Sequence, residues 1–315
     1  MKKNIFTEFV FFILVSSAFL FESCKYYAYG LDEFFFRDDE IRNRSKELKN
    51  LDAEVEVKNR GAYEIAKMSP EFAESDFDFY EVLVITDVHF GAEGLGANGN
   101  RRDDDFFAWI SENYVEKGKK LPKFCVCLGD VVEYGLEEEY EDYENFTKKL
   151  EERFGIKTYN VVGNHDLYNA GWKNYKKYCF PYTSFYKFRT KTLTCYFLDS
   201  ASGSLGDRQL ELFLRDMKYN ENGRKKMVFM HVPAYANGFF YYVMQNSIER
   251  NKFISYCAKN DVIALVDGHT HKESTSDLGS FAEYNLPGYL QRRGWGILSV
   301  DERNGKVSCK SYYLE

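Results

Sequence analysis

The sequence predicts an α/β fold on three observations. From Glu81 onward, short apolar runs alternate with longer amphipathic stretches, the runs have the length of strands, and the strongest of them end in polar clusters. At 315 residues the chain is long enough for one catalytic-size domain plus an appendage. Its 44% hydrophobic and 29% charged residues supply a core and exclude a wholly disordered chain. Lys plus Arg number 42 and Asp plus Glu 49, a net charge of −7, so the basic excess of a protein that coats nucleic acid is missing and nucleic acid is not an expected partner. An anionic substrate would need local positive charge, such as metal ions.

Taken in order, Lys2 and Lys3 precede an apolar run over 9–21, too short to cross a bilayer comfortably and of the length of a secretory signal's central segment. A signal peptide is expected over 1–24, with export to the periplasm or cell envelope. The stretch Leu20-Phe21-Glu22-Ser23-Cys24 resembles a bacterial lipoprotein processing site, which would lipidate Cys24 and attach the protein to a membrane. Glu22 departs from the small residues usual there, and an ordinary cleaved signal or an uncleaved amphiphilic tail fits the same run. Residues 25–78 mix aromatic clusters with charge runs and are expected to form a tether or partly helical extension, leaving 79–315 for the main domain.

Strands are expected at 82–85, 124–128, 158–162, 227–230 and 262–266, and helices at 103–119, 136–154, 206–218 and 245–259. Leu210, Phe213, Leu214 and Met217 recur at helical spacing on one face, a packing stripe. Cys125 and Cys127, two apart on a strand, share a face and are expected in the core. Beyond Cys24 six cysteines remain, with no Cys-x-x-Cys pair; a structural zinc knuckle is not expected, and disulfides stay open for an exported chain. The acidic run Glu137-Glu138-Glu139 is read as a solvated helix face. Gly94-Leu95-Gly96-Ala97-Asn98-Gly99 matches a dinucleotide fingerprint but begins eight residues after Thr86, too far from the strand end for that role, and is expected to be a rim loop.

The polar clusters carry the chemistry. The first strand runs into Asp87-Val88-His89, the second into Gly129-Asp130, the third into Gly163-Asn164-His165-Asp166, the fourth into His231 and the fifth into Gly268-His269-Thr270-His271. All five histidines of the chain therefore follow predicted strands. In an α/β fold strand ends meet at one rim, where such proteins place their sites. Two histidines spaced by two on an extended segment are expected to serve two adjacent metals.

These five blocks, in this order, resemble the calcineurin-like metallophosphoesterase superfamily over residues 79–272, with Phe197-Leu198-Asp199-Ser200 and Gly206-Asp207-Arg208-Gln209-Leu210 similar to its secreted and cyclic-nucleotide phosphodiesterase members. The resemblance implies a four-layer α/β/β/α sandwich of two mixed sheets, with 79–315 as the catalytic domain. It assigns Asp87, His89 and His271 to one metal, Asn164, His231 and His269 to a second, and Asp130 to a bridge. The ions expected are Mn, Fe or Zn, which suit carboxylate, amide oxygen and imidazole. Such a pair can hold a bridging hydroxide for in-line attack on a phosphate ester, with His165 assisting the leaving group and Asp166 orienting His165 or raising its pKa. A small phosphate ester, monoester or diester, is the expected substrate. Purple acid phosphatases place a Tyr three residues after the bridging Asp; here that position is Glu133, so no tyrosinate-iron chromophore is expected. A scaffold of the same fold, a nuclease and a lipid-linked pyrophosphate hydrolase are the alternatives. The scaffold members tend to lose ligands that are intact here, and the lipid A pathway members usually carry Arg where this chain has His165.

Overall fold

A computed structural model describes residues 46–68, 78–95, 99–239 and 241–314; the expected signal segment and Cys24 lie outside the described residues. By its contacts the compact unit runs from Asn50 to Glu315.

Twelve described strands form two sheets. We number them in chain order as β1 (Ala66–Lys67), β2 (Phe79–Ile85), β3 (Cys125–Cys127), β4 (Thr158–Asn160), β5 (Tyr186–Arg189), β6 (Leu193–Phe197), β7 (Lys225–Phe229), β8 (Val262–Asp267), β9 (Ser274–Asp277), β10 (Ala282–Asn285), β11 (Gly294–Asp301) and β12 (Lys306–Tyr313). One sheet has the order β12-β11-β2-β3-β4, the other β1-β5-β6-β7-β8-β10-β9. Both are mixed: β2, β3 and β4 pair in parallel while β11 is antiparallel to β2, and β6, β7 and β8 are parallel while β5 is antiparallel to β6.

The helices are α1 (Lys46–Asn59), α2 (Asp103–Ile110, continuing as a wider π turn over Ser111–Val115), α3 (Glu137–Phe154), α4 (Gly171–Tyr178), α5 (Asp207–Tyr219), α6 (Ser247–Lys259) and α7 (Tyr289–Arg292). Their ends are locally coded. Glu139 is a buried exception to the solvated acidic face: its carboxylate accepts from the backbone N–H groups of Tyr134 and Leu136 and so caps α3, which stops where Gly155 turns left-handed at φ 67°. Asn246 caps α6 by accepting from Ile248 and Glu249.

Strand alternation sorts the core into three layers. Leu83, Ile85, Cys125 and Cys127 face α2 and α3, where they meet Phe106, Phe107, Tyr143 and Phe146. Their neighbours Val82, Val84, Phe124 and Val126 face the other way and pack between the sheets against Phe188, Phe197, Met227 and Phe229. On the far side Tyr196, Val228 and Leu265 meet Leu210, Phe213 and Met217 of α5 and Phe253 of α6, joined by Val57 of α1. The result is the four-layer α/β/β/α sandwich, with Cys125 and Cys127 on one face in the core. The six described cysteines are all free thiols.

Phe106 is fully buried amid the rings of Phe107, Phe146, Tyr289 and Trp295. Truncating it removes dispersion contacts that the close-packed layer cannot refill, so Phe106→Ala is expected to destabilise the fold by about 3–5 kcal/mol, read as a lower urea midpoint at unchanged slope.

Candidate metal centre

Each site residue sits just past a strand's C-terminal end: Asp87 and His89 after β2, Asp130 after β3, Asn164 and His165 after β4, His231 after β7, and His269 and His271 after β8. The two sheets bring these ends to one rim. The backbone there is unusual, since Asp87, His89, Asp130, His269 and His271 all adopt left-handed φ between 47° and 67°. Side chains rarely accept that conformation, and it clusters where structure over-determines a functional geometry. Gly129, at φ 103°, brings the second strand end close to the third: a Cβ there would meet the backbone N of Gly163 at 2.7 Å and His231 Nδ1 at 2.9 Å.

Three groups of candidate ligand atoms lie here among the described residues: His89, Glu133 and His165 form one, and the other two share Asp130. In one of these two, Asp87, His89, Asp130 and His271 lie together. Asp87 Oδ1 is 3.0 Å from His271 Nε2 and 4.0 Å from His89 Nε2. In the other, Asp130, His231 and His269 come together, and Asn164 joins them. His231 Nε2 is 3.2 Å from Asp130 Oδ2, 3.1 Å from Asn164 Oδ1 and 3.2 Å from His269 Nδ1. Asp130 belongs to both groups. Its Oδ2 faces both His231 and His89, at 3.2 and 3.9 Å, while its Oδ1 accepts from the backbone N–H of His165 at 2.8 Å. His269 and His271 do part toward the two groups, but through left-handed turns after β8 ends at Asp267 rather than along an extended strand.

Behind these atoms lies a layer that fixes ring orientation. His231 Nδ1 donates to the Leu128 carbonyl at 2.8 Å, His271 Nδ1 donates to Gln291 Oε1 at 2.6 Å, and His89 Nδ1 lies 2.8 Å from Glu133 Oε2. With the outer nitrogens of His231 and His271 engaged, the inner one of each of these rings faces the centre, while His89 Nδ1 makes no hydrogen bond. Thr86 Oγ1 and the backbone N–H of His269 both donate to Asp87 Oδ2, leaving Asp87 Oδ1 buried without a hydrogen bond.

That arrangement fits cations. Lone pairs of carboxylate, amide and imidazole converge with no donor assigned to separate them, and a buried carboxylate oxygen is left over. No cysteine joins these groups among the described residues, and an oxygen and imidazole set suits Mn, Fe or Zn. The charges within the centre act strongly on one another. Burial works against charge on His231 and His271, yet Asp130 beside the first and Asp87 beside the second raise both to about 9. His269, buried and next to His231, is lowered to about 3. Burial would raise Asp130 and Asp87, but the neighbouring histidines hold both carboxyls low.

His165 stands at the edge of this centre. Its Nδ1 donates to the Glu133 carbonyl at 3.0 Å with Glu133 Oε2 at 3.5 Å, and its ring meets His89 edge-on at 4.7 Å and Tyr168 at 4.7 Å. The orienting role expected of Asp166 is corrected by the structure. Asp166 is fully buried, and its carboxylate accepts from the backbone N–H groups of Val131, Val132 and Gly163 instead of turning to His165. Burial and the nearby Asp130 push it up to about 7. It braces the strand ends that carry Asp130 and Asn164. Glu133, noted in the sequence only as the residue replacing a Tyr, contacts both His89 and His165. Gln291 gave no signal at all. In the expected rim loop the Gly94 N–H donates to Gly99 O at 2.7 Å, with 96–98 outside the described residues, and the ring of Tyr242 lies 5.9 Å from that of His269.

Known proteins resemble this chain in sequence and in fold. The family model described as calcineurin-like phosphoesterase matches residues 80–273, more than half of the chain. A probable glycerophosphodiester phosphodiesterase GpdQ of Arcobacter nitrofigilis is 26% identical over 209 residues, covering 62% of this chain and 73% of the relative. Among solved structures, a dimetal phosphatase from Danio rerio superposes with a TM-score of 0.53 at 13% identity, over 74% of this chain and 99% of that one. GAP50, the anchor in the inner membrane complex of Plasmodium, gives 0.50 at 12% identity over 75% and 89%. At such identities the two structures speak for the fold alone.

Proposed function

This chain belongs to the calcineurin-like phosphoesterase family and is a metallophosphoesterase, and from that premise we propose that it hydrolyses phosphodiesters at a two-metal centre formed by Asp87, His89 and His271 on one side, Asn164, His231 and His269 on the other, and Asp130 between them. The observation that carries this reading is the position of Asp130, whose carboxylate belongs to both converging groups. The preference for diesters is supported by the glycerophosphodiester phosphodiesterase relative.

When bound, two such ions would supply Lewis acidity and positive charge toward the phosphoryl oxygens and favour deprotonated water. The chain's own residues do the remainder. Left-handed backbone at five ligands and the outer hydrogen bonds of His231 and His271 fix the donors before substrate arrives. Attack by a water oxygen forms the new P–O bond as the bond to the leaving alcohol breaks, and the departing oxygen needs a proton. His165 can give it: with Nδ1 tied to the Glu133 carbonyl, Nε2 makes no hydrogen bond among the described residues and can carry the proton.

The test is hydrolysis by the full chain of matched phosphomonoesters, phosphodiesters and cyclic nucleotides, with Mn, Fe or Zn and with a chelator. Diester turnover that falls by at least about a hundredfold with chelator and returns with metal is expected, an effect of a few kcal/mol. Monoester turnover exceeding diester turnover would overturn the diester reading, and chelator-insensitive turnover would overturn the metal one.

A further inference from the structure

The segment before β2 does more than lead into the domain. Glu56 in the last turn of α1 and Arg60 just past its end are four residues apart, joined by the Arg60 N–H donating to the Glu56 carbonyl at 3.1 Å, and both side chains reach the turn that follows β6. Arg60 is buried and forks onto Asp199: Nε donates to Oδ2 at 2.7 Å and Nη2 to Oδ1 at 2.9 Å. The same Nη2 donates to Ser202 Oγ at 2.7 Å, and Ser202 Oγ donates to Glu56 Oε2 at 2.7 Å. Asp199 is fully buried, and Arg60 is the cation paired with it among the described residues.

The next residue of this turn reaches the metal centre. Ser200 Oγ accepts from the backbone N–H of His231 at 3.1 Å and of Val232 at 2.8 Å. A single peptide bond therefore joins the residue whose carboxylate Arg60 holds to the residue whose hydroxyl holds the backbone of His231. We propose that Arg60 is a positioning residue for the second metal, acting through Asp199 and Ser200 on His231; this rests on the two-metal reading above. A buried carboxylate deprived of its partner cannot stay as it is: it must protonate, draw in water or move, and each response displaces the turn. Groups that orient a ligand from behind typically change metal affinity by 10–100-fold. Among the described residues Asp87, His89 and His271 have no such link to α1 and should be spared.

The experiment is titration of the full chain, freed of metal, with Mn, following bound and free ion by electron paramagnetic resonance. Wild type is expected to bind two ions. Arg60→Met should weaken one of them by about tenfold or more and leave the other unchanged, and the double variant Arg60→Met, Asp199→Asn, which removes the stranded charge, should recover part of that loss. Val57→Ala is the control: it loosens the same helix from the α5 layer and leaves every hydrogen bond of Arg60, Asp199, Ser200 and Ser202 in place. If Val57→Ala lowers the melting temperature as much as Arg60→Met and weakens the same ion equally, the effect is general loosening and the proposal fails. It fails also if Arg60→Met binds both ions as wild type does. Should Arg60→Met not fold, Arg60→Lys, which keeps the charge and loses the fork, must show the same selective weakening or the proposal falls. Wild type that binds no Mn, Fe or Zn would instead overturn the two-metal reading itself.

Discussion

Asp130→Ala is expected to lower turnover by at least about a thousandfold in protein that remains folded, a loss of several kcal/mol of transition-state stabilisation. No other described side chain belongs to both ligand groups, so the substitution removes a donor from each at once. It also frees the backbone N–H of His165, which Asp130 Oδ1 now accepts at 2.8 Å. Asp130→Asn separates the two effects, because the amide oxygen can keep that hydrogen bond while the charge is lost. Near wild-type turnover by Asp130→Ala, in protein shown by circular dichroism to be folded, would remove the centre from the chemistry altogether.

The second large effect belongs to His165 and depends on the substrate. A group that protonates a departing oxygen matters in proportion to that oxygen's basicity. His165→Ala should therefore slow hydrolysis of diesters with alkyl leaving groups by about 10²–10⁴-fold, and of nitrophenyl diesters by far less. Since the ring sits outside the two ligand groups that share Asp130, metal content should be unchanged. An equal slowing for both leaving groups would assign His165 to binding or positioning rather than proton transfer. Glu133→Gln offers a comparison, because it alters the side chain near His89 and His165 but keeps the carbonyl that accepts from His165 Nδ1.

Much of this centre was legible in the sequence because parallel strands aligned in register deliver the residues after them to the same edge. Asp87, Asp130 and Asn164 could be aligned from three apolar runs without knowing how far apart the strands lie in the chain. The helices were legible for a similar reason: the 210, 213, 214, 217 stripe meets the far sheet as its spacing required. What was not legible depends on approach through space. Gln291 lies twenty residues from His271, in a four-residue helix with no pattern of its own. Arg60 and Asp199 are 139 residues apart and lie on segments whose composition suggests a tether in one case and a strand end in the other. Asp166 misled in the opposite way. It is adjacent to His165 in sequence, yet the tight turn after β4 sends the two side chains to different neighbours, one to the centre and one to three backbone amides. The short strands β1, β9 and β10, of two to four residues, lie below the length at which alternation can be recognised.

The left-handed backbone of five ligands has a consequence for how the protein folds. Each such residue costs about 1–3 kcal/mol, and five together approach the whole net stability of a typical domain, about 5–15 kcal/mol. The sheets on either side must offset that cost while the chain is still empty, since the bends lie in the covalent path between strand and loop. Folding thus performs in advance the work that a looser site would ask of its ligands. The rim is cast by folding itself, and an ion bound there would meet a mould instead of recruiting one.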